Sequence, residues 1–287
     1  MTSNLVYPAK VMLFGEYSIL MGSSALSMPF PRFEATLRIP EKEVPAEEGD
    51  LKESNNQLAA FCQFMIEEQD YFGSYLDLDR FAKETSGGLY LRSTIPQHYG
   101  LGSSGALCAA VLGRYEIRDT GSGIRELFSR MESFFHGKSS GYDPLVCYIQ
   151  KTLLLNPGQP VREVQIPSRM TERFPMSLID SGMQSGTGSL VPGFLEHQAP
   201  EGILSQVAGK YVVLTNQCIA SFLREDQLAF REALVALSEF QYREFKRMIP
   251  SSVHSHWEAG LKTGHSVMKL CGSGGGGFFL CFNLCQT

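Results

Sequence analysis

A chain of 287 residues is too long for one typical small domain and about right for two. With 43% hydrophobic and 19% charged residues it can bury a real core, and it holds no repeat or low-complexity segment. A formal net charge of −5 with no Lys/Arg block argues against a nucleic-acid binder held by phosphate contacts. Small anionic ligands stay open, because they need only a local positive site.

In chain order, residues 5–14, LVYPAKVMLF, predict a strand, with Pro8 pointing to an edge position or a bulge. SSALSMPF and RFEATLRIP alternate as two further strands. The acidic stretch 41–53, with its Pro and Gly, predicts an exposed loop. NNQLAAFCQFMIEEQ carries apolar residues at helical spacing, with Asn as the cap. GGLYLRSTIP reads as a strand leading into PQHYGLGSSGALCAA, residues 96–110, where a helix begins at Ser103. A second helix over about 123–135 ends in FFHGKSSGYD, and strands follow near 152–155 and 161–166, then PMSLID. DQLAFREALVALSEFQYREFKRMI predicts a long amphipathic helix, and SVMKLCGSGGGGFFLCFNL a strand, a glycine loop and a strand. A boundary near 150 separates two α+β halves.

The seven cysteines (Cys62, Cys108, Cys147, Cys218, Cys271, Cys281 and Cys285) include no CxxC pair and no Cys/His cluster with zinc spacing. Most stand among apolar neighbours, where Cys behaves as a small hydrophobe, and this usage suits a reducing cytosol. MTSNLVYPAKVMLFGEY lacks a charged region followed by a long apolar core, and no apolar run is long enough to span a bilayer. The expectation is a cytoplasmic protein with no signal peptide and no membrane partner.

Three motifs carry the chemistry. Between Gly100 and Gly105 the glycines let backbone N–H groups approach a ligand closely, directly ahead of a helix N-terminus with its partial positive charge. That combination makes an anion site, commonly for phosphate. PAKVMLFGEYSILMG, residues 8–22, places Lys10 in a strand with Gly15 and Glu16 at its exit. CGSGGGG, residues 271–277, sits between two apolar strands, where a tight functional turn fits better than a mobile linker. No Gly-Lys-Ser/Thr closes a Walker A loop, no GxGxxG opens a Rossmann unit, and the HRD and DFG set of protein kinases is absent.

In this order and at these distances the three motifs resemble the GHMP kinase superfamily (galactokinase, homoserine kinase, mevalonate kinase, phosphomevalonate kinase), over nearly the whole chain. The resemblance implies a two-domain α+β fold: an N-terminal ribosomal S5-like ATP-binding domain over 1–150 and a C-terminal ferredoxin-like α/β sandwich over 151–287. It implies ATP and Mg²⁺ as cofactors, with the triphosphate under Gly100, Leu101, Gly102, Ser103, Ser104, Gly105 and Ala106. Within the superfamily, ESFFHGKSSGYD, Glu132 to Asp143, resembles the mevalonate kinase pattern of Glu followed by HGxxSGxD. By that resemblance Asp143 matches the catalytic base, Glu132 and Ser104 the magnesium ligands, and Lys10 the lysine that supports base and acceptor oxygen. Thr187 matches a threonine near the phosphates, and Glu16, Tyr17, Gly274 and Gly275 are expected close to substrate or phosphate. The implied activity is Mg·ATP-dependent transfer of the γ-phosphoryl group to a small-molecule hydroxyl, with mevalonate or a close relative as acceptor, by a monomer or homodimer. The alternatives are a phosphomevalonate kinase, another GHMP kinase, or a catalytically silent ATP-binding sensor. A silent relative would be free to lose Lys10, Ser104, Glu132 and Asp143.

Taken singly these residues have plainer readings. Lys10 could snorkel at the surface, Glu132 could be a solvated helix charge, and Asp143 before Pro144 could start a turn. His136 reads as a hydrogen-bonded structural residue and receives no role. The chain also departs from the mevalonate kinase pattern. It has Gly15-Glu16-Tyr17 where GEH is usual, whereas phosphomevalonate kinases read GEY and GLGSSG. His98 replaces a usual glycine, DSGMQSGTGS at 180–189 lacks a basic residue, and only ten residues follow Gly277, which implies a trimmed C-terminal domain.

Overall fold

The computed structural model describes residues 5–40, 48–185, 201–272 and 274–284. The chain divides into two compact units. The first comprises the residues up to Lys10, Pro29–Pro96 and Gly102–Gln150; the second comprises Val11–Met28, Gln97–Leu101 and the chain from Lys151 onward. The chain leaves the first unit for the last time at 150. Val11–Met28 and Gln97–Leu101, which the sequence reading gave to the N-terminal half, belong to the second unit. Phe14 shows why: its ring packs against Phe222, Phe230 and Phe282 at centroid distances of 6.4, 6.0 and 6.0 Å.

Strands β1 (Tyr7–Phe14) and β2 (Ala25–Arg38) run from one unit into the other. In the sheet order β1-β2-β4-β5, with β4 at Leu153–Leu155 and β5 at Arg162–Glu163, β1 takes an end, so Pro8 sits on an edge strand as expected. The two strands read from SSALSMPF and RFEATLRIP are one strand of fourteen residues. Pro29 and Pro31 do not break it, because they fall between the stretch that pairs with β4 (Ala25–Ser27) and the stretch that pairs with β3, Tyr90–Ser93 (Ala35–Arg38).

The first unit is mostly helical: α1 (Glu48–Glu67), α2 (Gln69–Phe72), α3 (Leu78–Ser86), α4 (Ser103–Tyr115), α5 (Ile124–His136) and α6 (Tyr142–Ile149). Helix α1 begins at Glu48, so the latter part of the acidic stretch is helix and not loop; residues 41–47 lie outside the described residues. Asn55 is accordingly interior to α1 and not its cap. Its side-chain amide donates to the carbonyls of Thr85 and Leu89 at 2.9 and 2.7 Å, tying α1 to the chain that leaves α3. Helix α4 is buried around most of its circumference from Gly105 to Leu112, which its small residues permit by letting α5 and α6 approach closely.

In the second unit, β6 (Met176–Asp180), β7 (Ser266–Leu270) and β8 (Phe278–Asn283) form an antiparallel sheet in the order β6-β8-β7. It is accompanied by the short α7 (Ser168–Arg173) and by α8 (Glu201–Leu223), α9 (Gln227–Glu244) and α10 (Ser251–Thr263). Helices α2, α3, α6, α7, α8 and α10 were not read from the sequence. The buried Trp257 indole of α10 donates to Ser238 Oγ of α9 at 2.8 Å, and that hydroxyl donates to the Met268 carbonyl of β7 at 2.6 Å. Among the described residues no helix is long and apolar enough to cross a membrane.

Candidate active site

Lys10 is no snorkelling surface lysine. It stands on the buried strand β1, is only 4% exposed, and holds its Nζ 2.8 Å from Asp143 Oδ2. Asp143 is the second residue of α6, which starts after Gly141 in the left-handed conformation, and a carboxylate in a first helical turn is favoured by the helix dipole. Pro144 follows in that first turn, where its missing N–H costs no helical hydrogen bond. Two glycines of the run Gly100–Gly105 make this approach possible. A Cβ at Gly102 would stand 2.8 Å from Lys10 Cγ, and one at Gly105 would stand 2.9 Å from the backbone of Asp143 and Pro144.

A second pair adjoins the same helix start. Ser104 donates its hydroxyl to Glu132 Oε1 at 3.0 Å, and Ser139 donates to the other carboxylate oxygen, Oε2. His136 Nε2 lies 3.1 Å from Ser104 Oγ. Since the single Ser104 proton serves Glu132, this contact is satisfied with the imidazole donating from Nε2. Glu132 is 4% exposed, so it is not a solvated helix charge. Its carboxyl is pushed up to about 7, first by burial and then by the Asp143 charge, while the Ser139 and Ser104 hydrogen bonds and Lys10 act against that rise.

The N–H groups of Ser103, Ser104 and Gly105 make no hydrogen bond among the described residues, the first internal bond of this helix start being Ala106 N–H to the Gly102 carbonyl. Three free donors, a helix N-terminus and the Lys10 ammonium form a cradle for an anion. Beside it, one hydroxyl and one carboxylate are the hard oxygen donors that Mg²⁺ takes while keeping its remaining positions for water and phosphate. The residues present therefore fit a magnesium-bound polyphosphate.

The remaining expected site residues lie in the second unit. Gly100 (φ 78°) owes its lack of a side chain to another part of the chain, since a Cβ there would stand 2.5 Å from the Cys271 carbonyl oxygen; Leu101 is buried. Gly275 donates its N–H to Met248 O at 2.7 Å, and the Gly274 carbonyl accepts from Ser185 Oγ at 2.6 Å. These groups are spent inside the protein, and the loop is a packed turn. Glu16 forms a buried ion pair with Lys269, and Tyr17, at φ 58°, sets its ring 6.4 Å from that of Phe245. His98 adopts φ 61°, so it takes the left-handed conformation that a glycine would supply. Thr187 lies outside the described residues.

Residues 71–151 match the family model described as GHMP kinases N terminal domain. The structure resembles that of L. major mevalonate kinase in complex with R-mevalonate (TM-score 0.63, 16% identity, 100% of this chain and 88% of that one). It also resembles Lactococcus lactis galactokinase complexed with galactose (TM-score 0.65, 13% identity, 97% of this chain and 84% of that one). The structure shares the fold of these kinases, and residues 71–151 are similar to the N-terminal domain of GHMP kinases. In sequence the chain is similar to mevalonate kinase of Pyrococcus furiosus, 29% identical over 170 residues, which is 53% of this chain and 51% of that relative. The match thus spans about half the length of that curated relative.

The GHMP kinase N-terminal match contains Ser104, Glu132, His136, Ser139 and Asp143, while Lys10 reaches them from β1, outside the matched range. Sequence reasoning did not single out Ser139, which only the folded contact to Glu132 reveals. It also missed Lys269, whose signal was a lone lysine inside the apolar run SVMKL.

Proposed function

We propose that this chain is a Mg·ATP-dependent kinase of a small-molecule hydroxyl, with mevalonate or a compound sharing its hydroxy-acid core as the acceptor. The observation that supports this reading is the placement of two pairs, Lys10–Asp143 and Ser104–Glu132, beside the unpaired N–H groups that open α4. When bound, Mg·ATP supplies the phosphoryl group and the metal draws negative charge from it. The chain's own residues do the rest. The Ser103, Ser104 and Gly105 N–H groups bind phosphate oxygens, and Ser104 Oγ with the Glu132 carboxylate offers the metal two protein oxygens. Asp143 accepts the acceptor's hydroxyl proton, a role worth roughly 10²–10⁴-fold for a positioned base. The Lys10 ammonium keeps Asp143 ionised and stabilises charge developing on the attacking oxygen.

The acceptor follows from the run Glu132 to Asp143 and from the similarity to a mevalonate kinase. The test is a coupled ADP-release assay over mevalonate, phosphomevalonate, galactose and homoserine. Mevalonate should show the highest kcat/KM. Turnover of phosphomevalonate alone would make Tyr17 the better guide to the acceptor, and turnover of galactose with mevalonate inert would overturn the assignment. Tight ATP binding without turnover of any of the four would favour a silent sensor.

A further inference from the structure

Apart from the candidate active site, the first unit holds a cavity of about 120 Å³ lined by the start of β1, the C-terminal half of α4 and α3. It lies three residues before Lys10 on β1, at Tyr7, and nine residues beyond Ser104 on α4, at Gly113, which at helical rise is roughly 13 Å away. Leu5, Leu37 and Ala110 supply an apolar wall.

The polar groups at this cavity are donors without enough acceptors. The Tyr7 hydroxyl makes no hydrogen bond among the described residues, although the residue is only 4% exposed. Burial, helped by Glu116, pushes that hydroxyl up to about 12, so it stays a neutral donor at physiological pH. Arg114 gives its Nε to Glu84, at 2.6 Å, and its guanidinium also meets the Tyr115 hydroxyl. Arg80 gives Nε to the same carboxylate at 3.0 Å and Nη1 to the Arg114 carbonyl at 3.3 Å, which leaves Nη2. Glu84 is itself fully occupied, because its Oε2 also accepts from Tyr115 at 2.7 Å. Arg80 and Arg114 share the Glu84 carboxylate, and Glu116, the other carboxylate that acts on Tyr7, accepts from the Tyr148 hydroxyl at 2.9 Å, so neither carboxylate bonds the Tyr7 O–H among the described residues. Gly113 lets the Tyr7 hydroxyl lie against α4 at the cavity wall, since a Cβ there would stand 1.7 Å from the Tyr7 oxygen.

We propose that this cavity binds a compact oxyanion, the carboxylate or phosphate head of a small metabolite carrying at most a short apolar segment. An acceptor-only ligand satisfies the Tyr7 hydroxyl and the spare guanidinium donors together, and charge-assisted hydrogen bonds of this kind are the strong ones. The volume holds roughly four water-sized groups, enough for such a head and a short chain but too small for a nucleotide. The inference is independent of the phosphoryl-transfer reading, because it is tested by binding and not by turnover.

The experiment is calorimetric titration of the full chain with sodium butyrate and, separately, inorganic phosphate, each against sodium chloride at equal ionic strength. Wild type, Tyr7→Phe, Arg80→Gln and Gly113→Ala are compared. Wild type should bind at least one of the two saturably, and the anion whose binding Tyr7→Phe weakens identifies the head group, which separates this cavity from the anion cradle at the start of α4. Tyr7→Phe should weaken that binding about tenfold, Arg80→Gln should weaken it as well, and Gly113→Ala should abolish it. Should Gly113→Ala fail to fold, Tyr7→Phe still decides, because its hydroxyl has no partner in the chain to lose. Equal affinity in wild type and Tyr7→Phe, or no saturable binding of either anion, would overturn the proposal.

Discussion

Lys269 and Glu16 lie 253 residues apart and form an ion pair of 2.5 Å, with side chains 0% and 2% exposed. The surrounding network completes the polar accounting around them. Lys269 Nζ also donates to the Leu270 carbonyl at 2.5 Å, and the Tyr211 hydroxyl donates to the Glu16 carbonyl at 2.5 Å. Gln241 donates to the Tyr211 oxygen and accepts the Leu270 N–H, both at 2.9 Å. A buried pair held in this way joins the turn after β1 to β7 within the second unit.

Removing one partner should therefore cost far more than removing both. Lys269→Met strands an uncompensated carboxylate and should lower unfolding free energy by about 3–5 kcal/mol, the usual scale for breaking a buried pair. Combining Lys269→Met with Glu16→Gln should restore much of that loss. Urea denaturation of the single and double variants measures it. Additive losses would mean that the two side chains do not act as a pair.

Asp143→Asn keeps size and hydrogen bonding but removes the basic carboxylate beside Lys10. It should cut kcat by roughly 10²-fold or more while Mg·ATP affinity changes little. Steady-state kinetics with nucleotide titration separates the two. A near wild-type rate would reduce Asp143 to a helix-capping charge.

Ser104→Ala and Glu132→Gln should fail differently. Each removes an oxygen donor or a charge from the proposed magnesium site, so both should raise the Mg²⁺ concentration needed for half-maximal rate and weaken nucleotide binding. Nucleotide titration with and without Mg²⁺ reads this directly. If Glu132→Gln were harmless, the metal would have to draw its carboxylate from elsewhere, and Glu132 would lose its place as a ligand.

Thiol chemistry should be dispensable. Cys62, Cys108, Cys147, Cys218, Cys271 and Cys281 are all free and buried. Burial pushes Cys62 up to about 11 and Cys108 and Cys147 well above the usual thiol range, so their thiolates form only as pH climbs far above neutral. Native protein treated with iodoacetamide at neutral pH should keep its kcat, and peptide mapping should find these six unlabelled. Labelling of any of them before unfolding, with loss of activity, would point to a role not assigned here.

Much of the site was legible in the sequence because its signals are local. Gly102 and the Ser pair mark a helix start, and that helix does begin at Ser103. Glu132 and Asp143 sit eleven positions apart on one short segment, and its resemblance to the mevalonate kinase pattern is what nominates them. The glycine loop between two apolar strands was equally readable, and β7 and β8 pair in antiparallel register on either side of it. Other features were not legible. Asn55 looks like a cap by its neighbours and is instead a bridge from α1 to the Thr85 and Leu89 carbonyls. Gly275 looks like a phosphate contact, but its N–H is bonded to the Met248 carbonyl, and Gly100 packs too close to the Cys271 carbonyl to carry a side chain.

The amino-acid sequence by itself determined where backbone could turn left-handed and which segments would bury an apolar face. These are properties of a few neighbouring residues, set by steric preference and hydrophobic periodicity. Only the tertiary structure decided that Lys10 meets Asp143, that Ser139 and Ser104 share Glu132, that Glu16 turns to Lys269, and that Tyr7 is left facing two arginines. Each of those relationships joins residues from different elements. A buried charge or hydroxyl takes whichever partner the packing of those elements brings within hydrogen-bond reach, and that is a property of the folded chain as a whole.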